Sequence, residues 1–475
     1  MSNKKYLLEP LLHLLRIPSV STQEEYLPYM EKARRYLVDL FKSLGFKTKI
    51  LKGKKHDAVF AELTTNDLRP TVLIYGHYDV QPPEPMDEWK TPPFEPTIKG
   101  DEIYARGSMD NKGQHMIHIM TVKKLLEEKK KLPVNFKFII EGEEEVGSTS
   151  IETFAKKYSK NLLKCDYLMV SDTGMRKGQP SIDIGLRGLV YTEVSLQTAS
   201  HDLHSGEYGG IAENPANLLA HLISKLKDES GKVLIPHFYD NVAKLSKRQL
   251  QEIKKITKAK EDLIKEGELL GVGGGEERYS FGERKWTQPT LDVNGIWSGY
   301  MGEGSKTIIP AKASAKISMR LVPYQDNDKI YTLFEKYVKT LVPKFVKLEV
   351  IRHADCLPYI APTNDPVFDL MKQSLKKYFG KEPIFKRVSG SIGFVPIMAK
   401  ALNVPCLMVG FALPGDNAHA PNEHFSLTNY YKGIEVMEDF YHALAMPSSA
   451  YQSSEWPSSA YQKLPNLPKN SGRLD

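Results

Sequence analysis

The stretch TVLIYGHYDV (71–80) begins as an unbroken apolar run with a β-branched start, and no other feature constrains the fold as much. A strand with one exposed face alternates apolar and polar residues. A run without alternation belongs to a strand covered on both faces, as in a parallel sheet flanked by helices. VNFKFII (134–140) and YLMV (167–170) read the same way, and helical patterns at 28–46 (ending at Gly45), 115–128 and 151–163 lie among them. Strands alternating with helices predict an α/β fold with a mainly parallel sheet.

After Leu186-Arg187-Gly188 the pattern changes. LVYTEVSLQT (189–198) and ASAKISMRLVP (313–323) alternate like strands with one exposed face. Between them lie a helical pattern at 213–228, a polar lysine-rich stretch and the loop GVGGG at 271–275. This predicts an α+β unit over 187–360 inserted into a domain formed by 1–186 and 361–446, where helix and strand patterns return and end in a helix at 428–445. PSSAYQ occurs twice in 447–475, a segment rich in proline and serine that reads as an appended disordered tail.

Charge excludes some function classes. The 65 lysines and arginines exceed the 58 acidic residues by only seven, and the densest basic run, LLEEKKKL (125–132), is interleaved with glutamates on a solvated helix face. No clustered basic footprint for nucleic acid is present. The N-terminal leucines are interrupted by Glu9, Pro10 and His13, unlike a signal peptide, and no apolar stretch is long enough to span a membrane. Three distant cysteines, Cys165, Cys356 and Cys406, suit neither a disulfide framework nor a cysteine metal site, so a cytoplasmic location is expected.

The chemistry lies at the strand ends, where open parallel sheets bind ligands. His77 and Asp79 close the strand at 71–76, Asp110 sits in YARGSMDNKG before the 115–128 helix, and EGEEEVGS follows 134–140. Asp172 follows 167–170, and His419 lies in NAHAPNEHF after an apolar run at 406–411. Each has a bland reading: a hydrogen-bonded structural histidine, a solvated glutamate run, Asp110 as a helix N-cap, Asp172 as a turn residue. His115 and His118, on a helix at i, i+3, read as structural. Recurrence at nearly every strand end favours a divalent cation site, and imidazoles with carboxylates and no paired cysteines suit Zn²⁺, Mn²⁺ or Co²⁺.

In order, GHYDVQP, ARGSMDNKG, EGEEEVGS, VSDTGM and the His419 loop resemble the motifs of the dinuclear zinc metallopeptidases that include aminoacylase-1, carboxypeptidase G2 and acetylornithine deacetylase. The resemblance covers roughly residues 5–445 and is greatest to the carnosinases, cytosolic nonspecific dipeptidases and Cys-Gly dipeptidases. It implies that Asp110 bridges two divalent ions, Zn²⁺ in the first instance. His77 and Asp172 would complete one ion, Glu145 and His419 the other. Glu144 would be the general base, and Asp79 would orient His77 through a hydrogen bond. Glu143 precedes the family's Glu-Glu pair and is read as a neighbour. Spacing alone does not separate base from ligand in Glu144-Glu145.

The resemblance also makes His204, in ASHDLHSGEYGG, an oxyanion-holding histidine that reaches into a partner subunit, which implies a homodimer. A plain turn there, or His201 in its place, is the competing reading. Thr307, Arg320, Gly390 and Ser391 resemble elements that bind a substrate's C-terminal carboxylate, for which guanidinium and hydroxyl donors are suited. Arg320 in a surface ion pair is the alternative. One departure is Ala420, where many relatives carry serine.

The resemblance implies hydrolysis of dipeptides with free termini, and the long insert between Asp228 and Gln288 is similar to the larger lid domain that dipeptidase-type members carry. An N-acyl amino acid deacylase or a carboxypeptidase on the same metal core is the alternative. A non-catalytic binding protein is a third, opposed by the presence of every ligand and the base.

Overall fold

The computed structural model of the chain describes residues 5–65, 68–128 and 131–446. The expected tail at 447–475 and the centre of LLEEKKKL lie outside them. The described residues form two compact units, one of 5–184, 361–387 and 392–446, the other of 185–360 and 388–391.

The first unit is built on a sheet in the order Lys47–Leu51, Ala58–Leu63, Asn135–Glu141, Thr71–His77, Tyr167–Val170 and Cys406–Met408. The last four strands are parallel to one another, and Ala58–Leu63 joins them antiparallel. Successive side chains of a strand point to opposite faces, and both faces are covered here. Tyr75 stacks on Phe394 with ring centroids 3.8 Å apart. Its neighbour Gly76 meets the helix Lys112–Glu127 so closely that a Cβ would lie 2.5 Å from His115 Cβ. Glycine is required there because the backbones approach without room for a side chain.

That helix is buried continuously from Lys112 to Val122 and packs against the helices Leu427–Leu444 and Lys5–Leu15. It begins three residues before the predicted start. Asn111, not Asp110, occupies its N-cap position, so the capping role considered for Asp110 does not apply. The helix Leu27–Ser43 ends just before Gly45, whose φ of 84° turns the chain into the first strand. Beneath that turn Phe41, Phe46 and Phe138 form a ring cluster with centroids 5.0–5.6 Å apart.

Register sets the level of the strand ends. His77 pairs with Glu141, and Val170 with both Tyr75 and Met408, so the four parallel strands stop within two residues of one another. The loops that follow therefore begin side by side.

The second unit holds an antiparallel sheet in the order Thr290–Ser298, Lys312–Leu321, Gly188–Gln197 and Lys347–Cys356. Gly188–Gln197 alternates buried and half-buried residues along its full length, as its sequence predicts. Val190, Val194, Ile317, Met319 and Phe334 lie in its core, against the helices Pro215–Ser224 and Asn327–Leu341. The polar lysine-rich stretch contains two short helices, Lys247–Ile256 and Lys260–Glu266. The first carries a capping box between Ser246 and Gln249, a serine-to-glutamine spacing that was legible in the sequence. Among the described residues no helix is long and apolar enough to cross a membrane.

Phe138 is fully buried and touches both other rings of its cluster. Phe138→Ala is expected to cost about 3–5 kcal/mol, the usual loss for a phenylalanine deleted from a packed core. Urea unfolding checks this as a lowered midpoint at unchanged slope.

Candidate metal centre

Asp110 lies between two imidazoles. Its Oδ1 is 3.1 Å from His77 Nε2 and its Oδ2 is 3.0 Å from His419 Nε2. His77 is the last residue of the strand Thr71–His77, whereas His419 lies in a loop at a φ of 58°, in the left-handed region. Asp172, two residues past the strand Tyr167–Val170, sets its Oδ1 3.5 Å from His77 Nε2. Glu145 sets its Oε2 3.6 Å from His419 Nε2. Three sets of ligand atoms each lie within 4.8 Å: His77–Asp110–Asp172, Asp110–Glu145–His419 and His77–Glu144–Glu145. Asp110 is common to the first two.

His77 Nδ1 faces Asp79, which frees Nε2 for the cluster. The contact differs from the one expected. The nearer acceptor is the Asp79 main-chain carbonyl, at 3.0 Å, with the carboxylate Oδ1 at 3.4 Å. The other carboxylate oxygen accepts the Glu145 N–H at 3.0 Å. Asp79 thus braces both a histidine and a glutamate of the cluster.

Three further residues of the quoted motifs support the cluster without belonging to a ligand set. Asn111 Nδ2 donates to Asp172 Oδ1 at 2.6 Å and to the Ser171 carbonyl at 2.7 Å, while its Oδ1 accepts the His77 N–H at 3.3 Å. Gln81 donates to Glu145 Oε2 at 2.7 Å. Glu143, expected to be a bystander, is buried and accepts from the Lys55, His56 and Ser150 N–H groups at 2.8–2.9 Å, tying the 53–56 loop to the segment after the glutamates. His118 is structural, as expected, bonded through its two nitrogens to Tyr441 and Ser171.

The electrostatics call for a cation. Burial pushes the Glu145 carboxyl up to about 8, helped by the nearby Asp110. Burial also drives Glu144 well above the carboxylate range; His77 opposes this, while Asp172, Glu145 and Asp110 reinforce it. Asp110 goes the other way: burial would raise it, but hydrogen bonds from His419 and His77 outweigh burial and hold it low. Five carboxylates, those of Asp79, Asp110, Glu144, Glu145 and Asp172, surround two imidazoles. Only a cation lets all five ionise together: burial and mutual repulsion otherwise keep Glu144 and Glu145 protonated, and two divalent ions would offset the charge of the ionised cluster. Asp79 Oδ1 is buried with no hydrogen-bond partner. Nitrogen and oxygen donors without thiolate suit Zn²⁺, Mn²⁺ or Co²⁺, so the residues fit the implied metals.

The remaining predicted residues all belong to the second unit. His204 ends a two-residue strand paired with Ile308–Ile309, and its Nδ1 accepts the Gly206 N–H at 3.0 Å. The Thr307 carbonyl accepts the Ser205 N–H at 3.1 Å, which brings Thr307 beside His204. His201 bonds Ser200 at 3.0 Å. Arg320 Nη1 donates to Ser391 Oγ at 3.3 Å, and Ser391 donates in turn to the Arg187 carbonyl. The Gly390 carbonyl accepts the Arg187 N–H at 3.1 Å. Arg187 was not singled out in the sequence; burial, then the Arg320 charge, push its guanidinium down to about 10.

Residues 73–443 match the profile of the peptidase family M20/M25/M40. The chain is 32% identical over 464 residues to the Cys-Gly metallodipeptidase DUG1 of Candida albicans, covering 92% of this chain and 94% of that one. It is 29% identical to the Beta-Ala-His dipeptidase of Homo sapiens, over 82% of this chain and 77% of that one. Its structure superposes with a TM-score of 0.84 on the M20 family metallo-carboxypeptidase Sso-CP2 of Sulfolobus solfataricus, at 36% identity, covering 92% and 99% of the two chains.

Behind the cluster, Glu141 accepts from Tyr75 Oη at 2.7 Å and Ser148 Oγ at 2.8 Å while its other oxygen has no partner. Burial raises its carboxyl from 4.5 to about 8. A raised folded pKa gives stability that is full below 4.5 and lost as pH rises through about 8. Glu141→Gln keeps the acceptor and removes the titration, so the metal-free variant should gain on the unsubstituted protein between these limits. Urea midpoints across that range check it; parallel curves would contradict it.

Proposed function

Since the chain belongs to the peptidase family M20/M25/M40, we propose that it is a metal-dependent dipeptidase hydrolysing dipeptides with free amino and carboxyl termini. The observation that carries this reading is the position of Asp110, whose two oxygens face the two histidines of adjoining ligand sets. His77, Asp110 and Asp172 would hold one divalent ion, and Asp110, Glu145 and His419 a second. Zn²⁺ is the proposed native metal, with Mn²⁺ or Co²⁺ as substitutes. Bound there, such ions supply Lewis acidity toward the peptide carbonyl and an acidified water.

The chain's own residues do the rest. Glu144 belongs to neither of those two sets and lies among their carboxylates, and it would be ionised, and so able to act as a base, with the two cations bound beside it. It takes the proton from the attacking water and delivers it to the leaving amine nitrogen. Asp79 and Asn111 keep His77 and Asp172 in place through the bonds described above. We assign Arg320, Ser391, Gly390 and Thr307 to the substrate's terminal carboxylate, a task suited to a guanidinium paired with a hydroxyl. His204, exposed on its short ribbon, is assigned to the oxyanion of a second subunit in a homodimer. A cytoplasmic setting accords with three free cysteines.

A carboxypeptidase activity on longer peptides is the second reading, favoured by the 36% identity to the Sulfolobus solfataricus metallo-carboxypeptidase. The deciding experiment offers free dipeptides, their N-acetylated forms and tetrapeptides to chelator-stripped protein, before and after Zn²⁺ or Mn²⁺. Metal-restored cleavage confined to free dipeptides is expected. Release of a single C-terminal residue from tetrapeptides would favour the carboxypeptidase, and no metal-restored cleavage of any substrate would overturn both. Glu144→Gln should lower kcat roughly 10²–10⁴-fold, the contribution typical of a general base, with two ions still bound by elemental analysis.

A further inference from the structure

Glu423, which the motif reading passed over, gathers more of the catalytic loop than any ligand does. Its side chain is fully buried. One carboxylate oxygen accepts from Arg106 Nη1 at 2.8 Å and from the Gly107 N–H at 2.9 Å. The other accepts from the Met109 N–H at 2.9 Å and the Asp110 N–H at 3.1 Å. Its main-chain carbonyl accepts the Ala105 N–H at 3.1 Å, extending the pairing of the strand His424–Ser426 with Glu102–Tyr104.

A full accounting of the segment follows. Of the six backbone N–H groups from Ala105 to Asp110, four end on Glu423, counting its carbonyl. The other two go to Pro93 and, within the segment, to the Ala105 carbonyl. Gly107, at a φ of 83°, lets the segment curl around the carboxylate, and a Cβ there would lie 2.7 Å from Val80 Cγ1. The residue just before Glu423 ties down the other side. Asn422 Oδ1 accepts the Lys90 N–H at 2.7 Å and its Nδ2 donates to the Glu88 carbonyl at 2.8 Å.

We propose that Glu423 is the positioning residue for Asp110: its carboxylate, four residues after His419, fixes the backbone from which Asp110 reaches both histidines. The charge of Arg106, itself buried and bonded also to the Pro82 carbonyl, accompanies that carboxylate into the interior. Four donors converging on two oxygens suit a carboxylate and no other side chain. An amide in its place would turn one NH₂ toward N–H donors and force the loop away. Because Asp110 is common to both ligand sets, its displacement weakens both ions together, whereas loss of His419 removes one.

This inference rests on the dinuclear reading above, and its test separates the two. Chelator-stripped full-length protein and the variants Glu423→Gln, Glu423→Asp and His419→Ala are titrated with Zn²⁺ by calorimetry, with near-ultraviolet dichroism as the check of folding. Glu423→Gln is expected to bind both ions roughly 10–100-fold more weakly, the usual effect of removing a residue that orients ligands. His419→Ala is expected to keep one ion tightly. Glu423→Asp keeps the charge beside Arg106 but falls one methylene short of the four donors, and is expected to weaken both ions as well. A folded Glu423→Gln or Glu423→Asp with unchanged affinity for two ions overturns the proposal, as does weakening of one ion alone. Failure of both variants to fold makes Glu423 a folding residue and also overturns it. If the unsubstituted protein takes up no metal, the dinuclear reading falls first and takes this inference with it.

Discussion

A single carboxylate shared between two distant histidines is the interaction on which the rest of the first unit depends. Asp110 meets His77 through one oxygen and His419 through the other. Those residues come from opposite ends of the chain, so the contact exists only if the whole sheet is correctly assembled. Parallel pairing sets the strand ends level, and the loops leaving them converge on one region. The cluster is thus a consequence of register, and a slip of one residue would send His77 to the opposite face of its strand.

The price of that convergence is negative charge, and the three consecutive glutamates show how the fold distributes it. Glu143 turns away into a nest of backbone donors, where burial would raise its carboxyl but hydrogen bonds lower it. Glu145 faces His419 and is braced by Gln81 and by its own N–H on Asp79. Glu144, between them, is raised by burial and by its acidic neighbours. One run of identical side chains thus acquires a structural member, a ligand candidate and a base candidate, because a 3₁₀ turn at Glu144–Val146 points each in a different direction. Glu144 and Glu145 can be ionised together in this setting only with a counter-charge, which bound divalent ions would supply.

The second unit handles charge of the opposite sign. The Arg320 charge helps burial to lower the Arg187 guanidinium, and both residues bond to Ser391, Arg187 through its carbonyl and Arg320 through its guanidinium. A guanidinium bonded to a hydroxyl, as Arg320 is to Ser391, has the donor chemistry that the carboxylate role proposed for Arg320 requires. Arg187 anchors this arrangement through the Lys285 and Gln288 carbonyls and Thr290, and so stabilises the segment that carries Ser391.

Much of this was legible in the sequence. Unbroken apolar runs at 71–76 and 134–140 determined strands buried on two faces, and the alternation at 189–198 determined a sheet with one open face, because burial on each face dictates side-chain polarity. Strand-end histidines and carboxylates pointed to the candidate cluster because the loops leaving level parallel strands begin side by side. What tertiary structure alone decided was the partnership of residues without local pattern. Asn111 behind Asp172, Glu143 in its nest and Glu423 beneath Asp110 are bonds between segments far apart in the chain. Periodicity reports which face a residue occupies. It carries no record of the donor that will stand opposite it, which is set only when distant backbones are packed to within a hydrogen bond of one another.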